Sequence, residues 1–355
     1  MSSGAQEKFS GTTQVGEKDR LDEAALDRWM TAHVEGYAGP MTVAKFRGGQ
    51  SNPTYRIDTP GRAYVLRRKP FGPTLPSAHA VDREYRVIAA LHPTGFPVAR
   101  PYGLCTDESV IGAVFYVMEC VDGTSHWEGT LPDRSPEERR TIYLGLIDTL
   151  AALHQTDHQA IGLGDYGKPG NYFERQVSRW TKQYRASETE RIEEVERLID
   201  WLPRTLPVQE RTAIVHGDYR IDNVMFDRAG TRPAAVLDWE LSTLGDPMAD
   251  LAYLMMNWET ETEGRAGLKG ADLAALGIPT LEAMVARYCE KTGRSGVPDL
   301  NWYFAFNLFR LTGIVQGIKK RVIDGTASSA HAQEMAANVP RLAAGAWTFA
   351  QKAGA

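Results

Sequence analysis

Two acidic residues and an amide carry the most chemistry in this chain of 355 residues. Asp218 and Asn223 lie five positions apart in HGDYRIDNVMFD (residues 216–227), and Asp238 follows in AVLDWE (residues 235–240). A carboxylate can orient an acceptor hydroxyl and take its proton as the bond to phosphorus forms. An amide oxygen and a second carboxylate are hard donors that suit Mg2+, an ion that keeps phosphates and waters in its shell. Asp218 is therefore the candidate catalytic base, and Asn223 and Asp238 are the candidate metal ligands. Short apolar runs at residues 212–215 and 234–237 read as strands that deliver these groups to loop ends.

The HGDxxxxN pattern with its downstream Asp resembles the aminoglycoside phosphotransferase and choline kinase group, whose members share the two-lobed fold of protein kinases. The resemblance spans residues 25–345. Within that group, LRRKPFGPTLPSAHAVDREYRVIAAL (residues 66–91) and DWELSTLGDPMADLAYL (residues 238–254) are most similar to the kinase-like domains associated with acyl-CoA dehydrogenases. The resemblance implies an α+β, protein-kinase-like fold with a small antiparallel-sheet N-lobe and a mostly helical C-lobe. It also implies ATP and Mg2+ as cofactors.

Further site residues follow by position. Gly48, Gly49, Gln50, Ser51 and Asn52 lie between two strand signals, where kinases carry the loop over the ATP phosphates, although the run taken alone reads as a hairpin turn. Arg67 stands where protein kinases have a phosphate-binding Lys; it keeps the charge but adds a planar fork. Strand alternation turns Arg68 to the opposite face and leaves Lys69 as a competitor for that role. Glu84, on the following helix, is the expected ion-pair partner. Glu119 and Cys120 end the strand that leads into the lobe connector, where backbone groups bind adenine. His216, Asp246 and Asp250 are read as structural, with Asp250 a possible cap of the helix that follows, and Asp222 as a solvated loop residue.

The elements that would position these groups divide the chain into a disordered tail (1–20), a nucleotide-binding N-lobe (21–119) and a C-lobe carrying the catalytic loop, metal site and acceptor site (120–355). A helix is expected at 21–34, then strands at 41–46, 55–58 and 63–68, a helix at 79–91 and a strand at 114–118, with VDGTS as a connector. Ser135, Pro136 and Glu138 make a capping box with Pro at the first helical position. Further helices are expected at 171–184, 190–202, 250–258, 281–291, 302–322 and 331–351.

A net charge of −5 and a pI near 6 give no footprint for nucleic acid or an anionic membrane. Three scattered cysteines suggest reduced thiols, and no apolar run approaches the roughly 20 residues of a membrane span, so a cytoplasmic location is expected. The partner is a small hydroxylated molecule. Residues 259–355 hold nine acidic and eleven basic side chains, which disfavours a polycationic aminoglycoside despite the cluster Glu259, Glu261 and Glu263. Lys319, Lys320 and Arg321 could meet a carboxylate or phosphate, as in a coenzyme A thioester, or end a solvated helix. Trp302, Tyr303, Phe304, Phe306 and Phe309 read as core rather than as a pocket. The expected activity is transfer of the ATP γ-phosphate to a hydroxyl of a metabolite, such as a hydroxy acid or hydroxyacyl-CoA. The alternatives are a noncatalytic nucleotide-binding interaction module and a true aminoglycoside phosphotransferase.

Overall fold

The computed structural model describes residues 11–47, 52–72, 80–261, 266–326 and 332–355. Six antiparallel strands form the N-terminal sheet: β1 (Thr12–Thr13), β2 (Thr42–Phe46), β3 (Thr54–Asp58), β4 (Ala63–Arg68), β5 (Pro101–Cys105) and β6 (Phe115–Glu119), in the order β1-β2-β3-β4-β6-β5. Alternation along β4 decides what each side of the sheet meets. Tyr64 and Leu66 join Tyr55, Ile57, Phe115 and Val117 in an apolar cluster with Leu26, Trp29 and Met30 of helix α1 (Glu23–His33). Arg67 stands opposite Tyr116 in the register of β4 and β6, and Tyr116 packs with Val81 and Val87 of helix α2 (Val81–Leu91).

The expected disordered tail covers residues 1–20, of which residues 1–10 lie outside the described part. Residues 11–20 hold regular structure instead. Thr12 and Thr13 pair with Phe46 and Lys45, and Asp19 meets Lys45 at 2.6 Å and Arg68 at 3.4 Å. A polar composition is no barrier to order where cations of the sheet edge compensate an acidic side chain.

The rest of the chain is mostly helical: α3 (Pro136–Gln155), α4 (Tyr172–Ser187), α5 (Glu193–Trp201), α6 (Met248–Met255), α7 (Leu273–Leu276), α8 (Leu281–Thr292), α9 (Asn301–Ile323), α10 (Ala332–Ala336) and α11 (Val339–Lys352). The single helix expected at 331–351 is broken after Ala336, and α11 restarts with Pro340 in its first turn, where a missing N–H goes unnoticed. Trp302, Tyr303, Phe304, Phe306 and Phe309 are buried core residues of α9. Among the described residues, no helix is long and apolar enough to cross a membrane.

Between the helices lie two small antiparallel sheets. Strands β7 (Thr124–Ser125), β9 (Val224–Phe226) and β10 (Pro233–Val236) form one, in the order β10-β9-β7, so VDGTS contributes a strand as well as a connection. Strands β8 (Ala213–Val215) and β11 (Thr243–Gly245) form the other. These ribbons carry the loops that bear Asp218, Asn223 and Asp238.

The capping box of α3 is fully formed: Ser135 Oγ accepts from the Glu138 N–H at 3.2 Å, and Glu138 Oε2 accepts from the Ser135 N–H at 2.8 Å. Ser135→Ala is expected to lower the unfolding free energy by about 1 kcal/mol. The check is a lower urea midpoint at unchanged m-value; an unchanged midpoint would show that packing alone holds this end of α3.

Candidate active site

The loop after β8 is fixed by a buried carboxylate. Asp250, in the first turn of α6, accepts the His216 N–H at 2.6 Å on Oδ2 and the Gly217 N–H at 2.8 Å on Oδ1. Burial opposes the charge of Asp250, but His154 and these amides hold its carboxyl below the usual range. Asp250 therefore clamps the loop rather than capping the helix; the turn before α6 is braced by Asp246, whose Oδ1 accepts from the Met248 N–H at 2.9 Å. Gly217 has φ +85°, and a Cβ there would lie 2.8 Å from the Leu241 carbonyl oxygen, so both backbone shape and space require glycine.

His216 bridges the two motifs. Its Nδ1 accepts from the Asp218 N–H at 3.2 Å, so Nε2 carries the proton and donates to the Leu237 carbonyl at 2.8 Å. Both nitrogens are occupied by backbone, which is the structural role expected for it. On the other side, Arg310 donates to the Gly217 carbonyl.

The Asp218 side chain is part-exposed. Asn223 Nδ2 donates to its Oδ2 at 2.9 Å and to its backbone carbonyl at 2.8 Å, so the five-residue spacing closes a loop on itself. Burial first, and then the charge of Asp218, push the Tyr253 phenol well above its ordinary value and keep it a neutral donor beside the carboxylate. Asp222 is not solvated: it is buried and meets Arg220 at 2.5 Å. The same guanidinium keeps its Nε 3.8 Å from Asp218 Oδ1.

Asn223 and Asp238 are brought together by the β9–β10 register. Val224 pairs with Val236, and the Leu237 N–H donates to the Asn223 carbonyl at 2.8 Å. Asp238 then turns in a left-handed conformation, φ 64° and ψ 63°, which a short polar side chain tolerates at a small energetic penalty. This turn directs its carboxylate toward Arg67.

Arg67 lies at the centre of a charged cluster. Its Nε is 2.8 Å from Glu84 Oε2, and its Nη2 is 2.7 Å from Asp238 Oδ1 and 3.7 Å from Glu240 Oε2. Burial disfavours the charged guanidinium, yet Glu84, Asp238 and Glu240 more than offset it, so Arg67 remains a cation. Burial pushes the Glu84 carboxyl up, against the pull of Arg67. The partner expected for Arg67 is thus in place. Lys69 instead sits 3.7 Å from Asp82, and Arg68 turns to the Tyr55 hydroxyl at 3.0 Å on the opposite face.

Asn52 is fully buried, and its Nδ2 donates to Glu84 Oε1 at 2.8 Å, with Glu240 Oε2 at 3.4 Å, so its side-chain amide braces the ion pair. Gly48, Gly49, Gln50 and Ser51 lie outside the described residues. The N–H groups of Glu119 and Cys120 donate to Arg100 O at 2.8 Å and Ala63 O at 3.4 Å, so sheet pairing already occupies them. Glu240 is not singled out by the sequence: it lies in DWE, two positions beyond Asp238, where nothing local distinguishes it from a surface acid.

A six-stranded antiparallel sheet, a helical body, and two carboxylates and an amide on adjoining loops are the arrangement of a kinase-like phosphotransferase with an alcohol group as acceptor. The chain belongs to the phosphotransferase enzyme family known as APH, whose model matches residues 42–286. It is 43% identical over 346 residues to acyl-CoA dehydrogenase family member 10 of Mus musculus, covering 97% of this chain but only 32% of that protein, so it spans about a third of the relative's length. A crystal structure of a putative aminoglycoside phosphotransferase from Ralstonia eutropha shares 52% identity and a TM-score of 0.86, over 94% of this chain and 99% of that one. The choline kinase LicA of Streptococcus pneumoniae, at 16% identity and a TM-score of 0.56, covers 91% of this chain and 98% of its own and shares the fold.

Burial raises the Asp246 carboxyl from its ordinary 3.8 to about 6. Between those values the folded chain binds a proton that the unfolded chain has lost, so the stability associated with this group is complete below pH 4 and falls as pH rises through 6. A shift of about two units corresponds to about 3 kcal/mol. Asp246→Asn, which has no such titration, is expected to gain that much relative to the wild type between pH 4 and pH 7. Urea denaturation at both pH values measures it, and a pH-independent difference would show that Asp246 is ionised in the fold throughout.

Proposed function

We propose that this chain is an ATP- and Mg2+-dependent kinase that phosphorylates a hydroxyl of a small anionic metabolite, such as a hydroxy acid or a hydroxyacyl-CoA. The observation that carries the reading is the closed pairing of Asp218 with Asn223 beside Asp238. Asp218 Oδ2 accepts from the Asn223 amide, and the carboxylate, with the Tyr253 phenol beside it and Arg220 3.8 Å from Oδ1, is held in place to orient the acceptor hydroxyl. As the acceptor oxygen forms its bond to the γ-phosphorus and the bond to ADP breaks, the hydroxyl proton passes to Asp218.

Asn223 and Asp238 fit Mg2+. Both end in hard oxygens, the Asn223 Nδ2 is committed to Asp218 and so leaves Oδ1 for the ion, and Asp238 engages Arg67 through Oδ1. When bound there, the ion would neutralise charge on the nucleotide phosphates. Arg67, oriented by Glu84 and Asn52, contributes a fixed positive charge toward the same phosphates.

The charge of the groove at the start of α4 supports an anionic acceptor over an aminoglycoside. An open groove of about 820 Å³ is lined by Lys168, Arg175, Arg179 and Lys182, with Glu174 the one acid among its lining residues. Arg175 donates to the carbonyls of Gly170 and Lys168 and braces the approach to α4. The indole of Trp180 separates this groove from the catalytic loop: Arg179 stands 5.5 Å from its ring and Arg310, which holds the Gly217 carbonyl, 5.7 Å. Lys319 and Lys320, by contrast, are engaged by Glu190 and Asp324.

The test is incubation with Mg2+ and ATP against hydroxyacyl-CoA thioesters, free hydroxy acids, amino alcohols and aminoglycosides, followed by product mass. Phosphorylation of an anionic class is expected, falling about 10²- to 10⁴-fold in Asp218→Asn. In Arg179→Glu/Lys182→Glu, KM for that acceptor should rise while KM for ATP stays unchanged. Transfer to aminoglycosides alone would reject the anionic acceptor, and ATP binding with no transfer to any class would reject the kinase.

A further inference from the structure

Three buried polar side chains from three different helices meet behind the catalytic loop, and none of them touches the reacting groups. His154 of α3 places Nδ1 2.7 Å from the Tyr288 hydroxyl of α8 and Nε2 3.4 Å from Asp250 Oδ2 of α6. Tyr288 is fully buried, and the His154 and Asp250 side chains are each 1% exposed. In so closed a place each hydrogen-bonding atom must find its partner within the protein.

Asp250 is held in its ionised form, so the imidazole offers it a donor from Nε2. Nδ1 meets the Tyr288 hydroxyl, which occupies the second ring nitrogen and fixes the orientation of the ring. Asp250 Oδ2 therefore receives two donors, the His154 ring and the His216 N–H, while Oδ1 receives the Gly217 N–H. The next residue is Asp218. Because three of the donors converge on one carboxylate, its rotation fixes the height of the loop that presents the base.

We propose that Tyr288, His154 and Asp250 form a buried positioning relay, in which α8 orients the imidazole, the imidazole orients the carboxylate, and the carboxylate sets the position of Asp218. His154 and Tyr288 are positioning residues; the proposal rests on Asp218 as the base. Loss of the imidazole removes one of the donors on Oδ2 and frees the carboxylate to turn. A displacement of about 1 Å at a reacting group can cost about 10²-fold in rate, so the relay should act on kcat. Nucleotide binding, which involves Arg67 and Glu84 on the other side of the cleft, should be spared.

The test compares His154→Leu, His154→Gln, His154→Asn and Tyr288→Phe. The Gln amide nitrogen can occupy the place of Nε2 and still donate to Asp250; the Asn amide is one methylene too short. Amide hydrogen exchange of residues 213–219 reports the His216 and Gly217 N–H bonds directly and needs no substrate, so it decides the relay even if the chain transfers no phosphate to any acceptor. Faster exchange, by tenfold or more, is expected in the Leu and Asn variants, with the Gln variant near the wild type and Tyr288→Phe, which keeps the packing, in between. With an acceptor in hand, kcat should follow the same order while ATP affinity changes less than twofold. Wild-type exchange in His154→Leu, or equal behaviour of the Gln and Asn variants, would overturn the proposal.

Discussion

A single guanidinium ties the sheet to the helical body at the point where chemistry is expected. Arg67 leaves β4 on the face opposite α1 and meets Glu84 of α2 and Asp238 of the loop beyond β10. A buried charge is stable only when paired, and each partner here has its own supports: Asn52 and Tyr116 hold Glu84, and a left-handed turn holds Asp238. Taking away the guanidinium would leave Glu84 uncompensated in a site that is 1% exposed, a loss of about 3–5 kcal/mol for a broken buried pair. The placement of β4, α2 and the loop beyond β10 therefore depends on one side chain.

The acceptor side uses a different device. Its loop is held by a carboxylate on two amides and by an imidazole set between the Asp218 N–H and the Leu237 carbonyl. Arg220 meets Asp222 at 2.5 Å and stands 3.8 Å from Asp218 as well, so one guanidinium joins two carboxylates of the loop.

Much of this could be read from residue types alone. Asp218, Asn223 and Asp238 sit on loops between short apolar runs, where a polar residue has few structural duties, and so their spacing carried a chemical meaning. The capping box of α3 was legible because it is complete within four residues. The pairing of Arg67 with Glu84 is implied by the kinase resemblance, whereas strand alternation alone sets Arg68 aside and leaves Lys69 as a rival. The meeting of Glu240 and Asn52 is not legible, because it joins positions 188 apart and depends on how the two motifs stack. The burial of Asp222 is not legible for a related reason: a carboxylate buried by distant elements has the same letter as one in water. The strands at 101–105, 224–226 and 243–245 are short and paired across the fold, and they lack the alternation that marks a longer strand.

Gly217 has an evolutionary consequence. The nearest obstacle to any side chain there is the carbonyl oxygen of Leu241, which belongs to the backbone and is the same for every amino acid at that position. No compensating substitution at 241 can make room, so the pair is not open to the mutual adjustment that lets packed side chains drift together. Variation in this lineage can reshape the exposed cationic surface of α4 freely. The step beside the base is a fixed point around which that variation must occur.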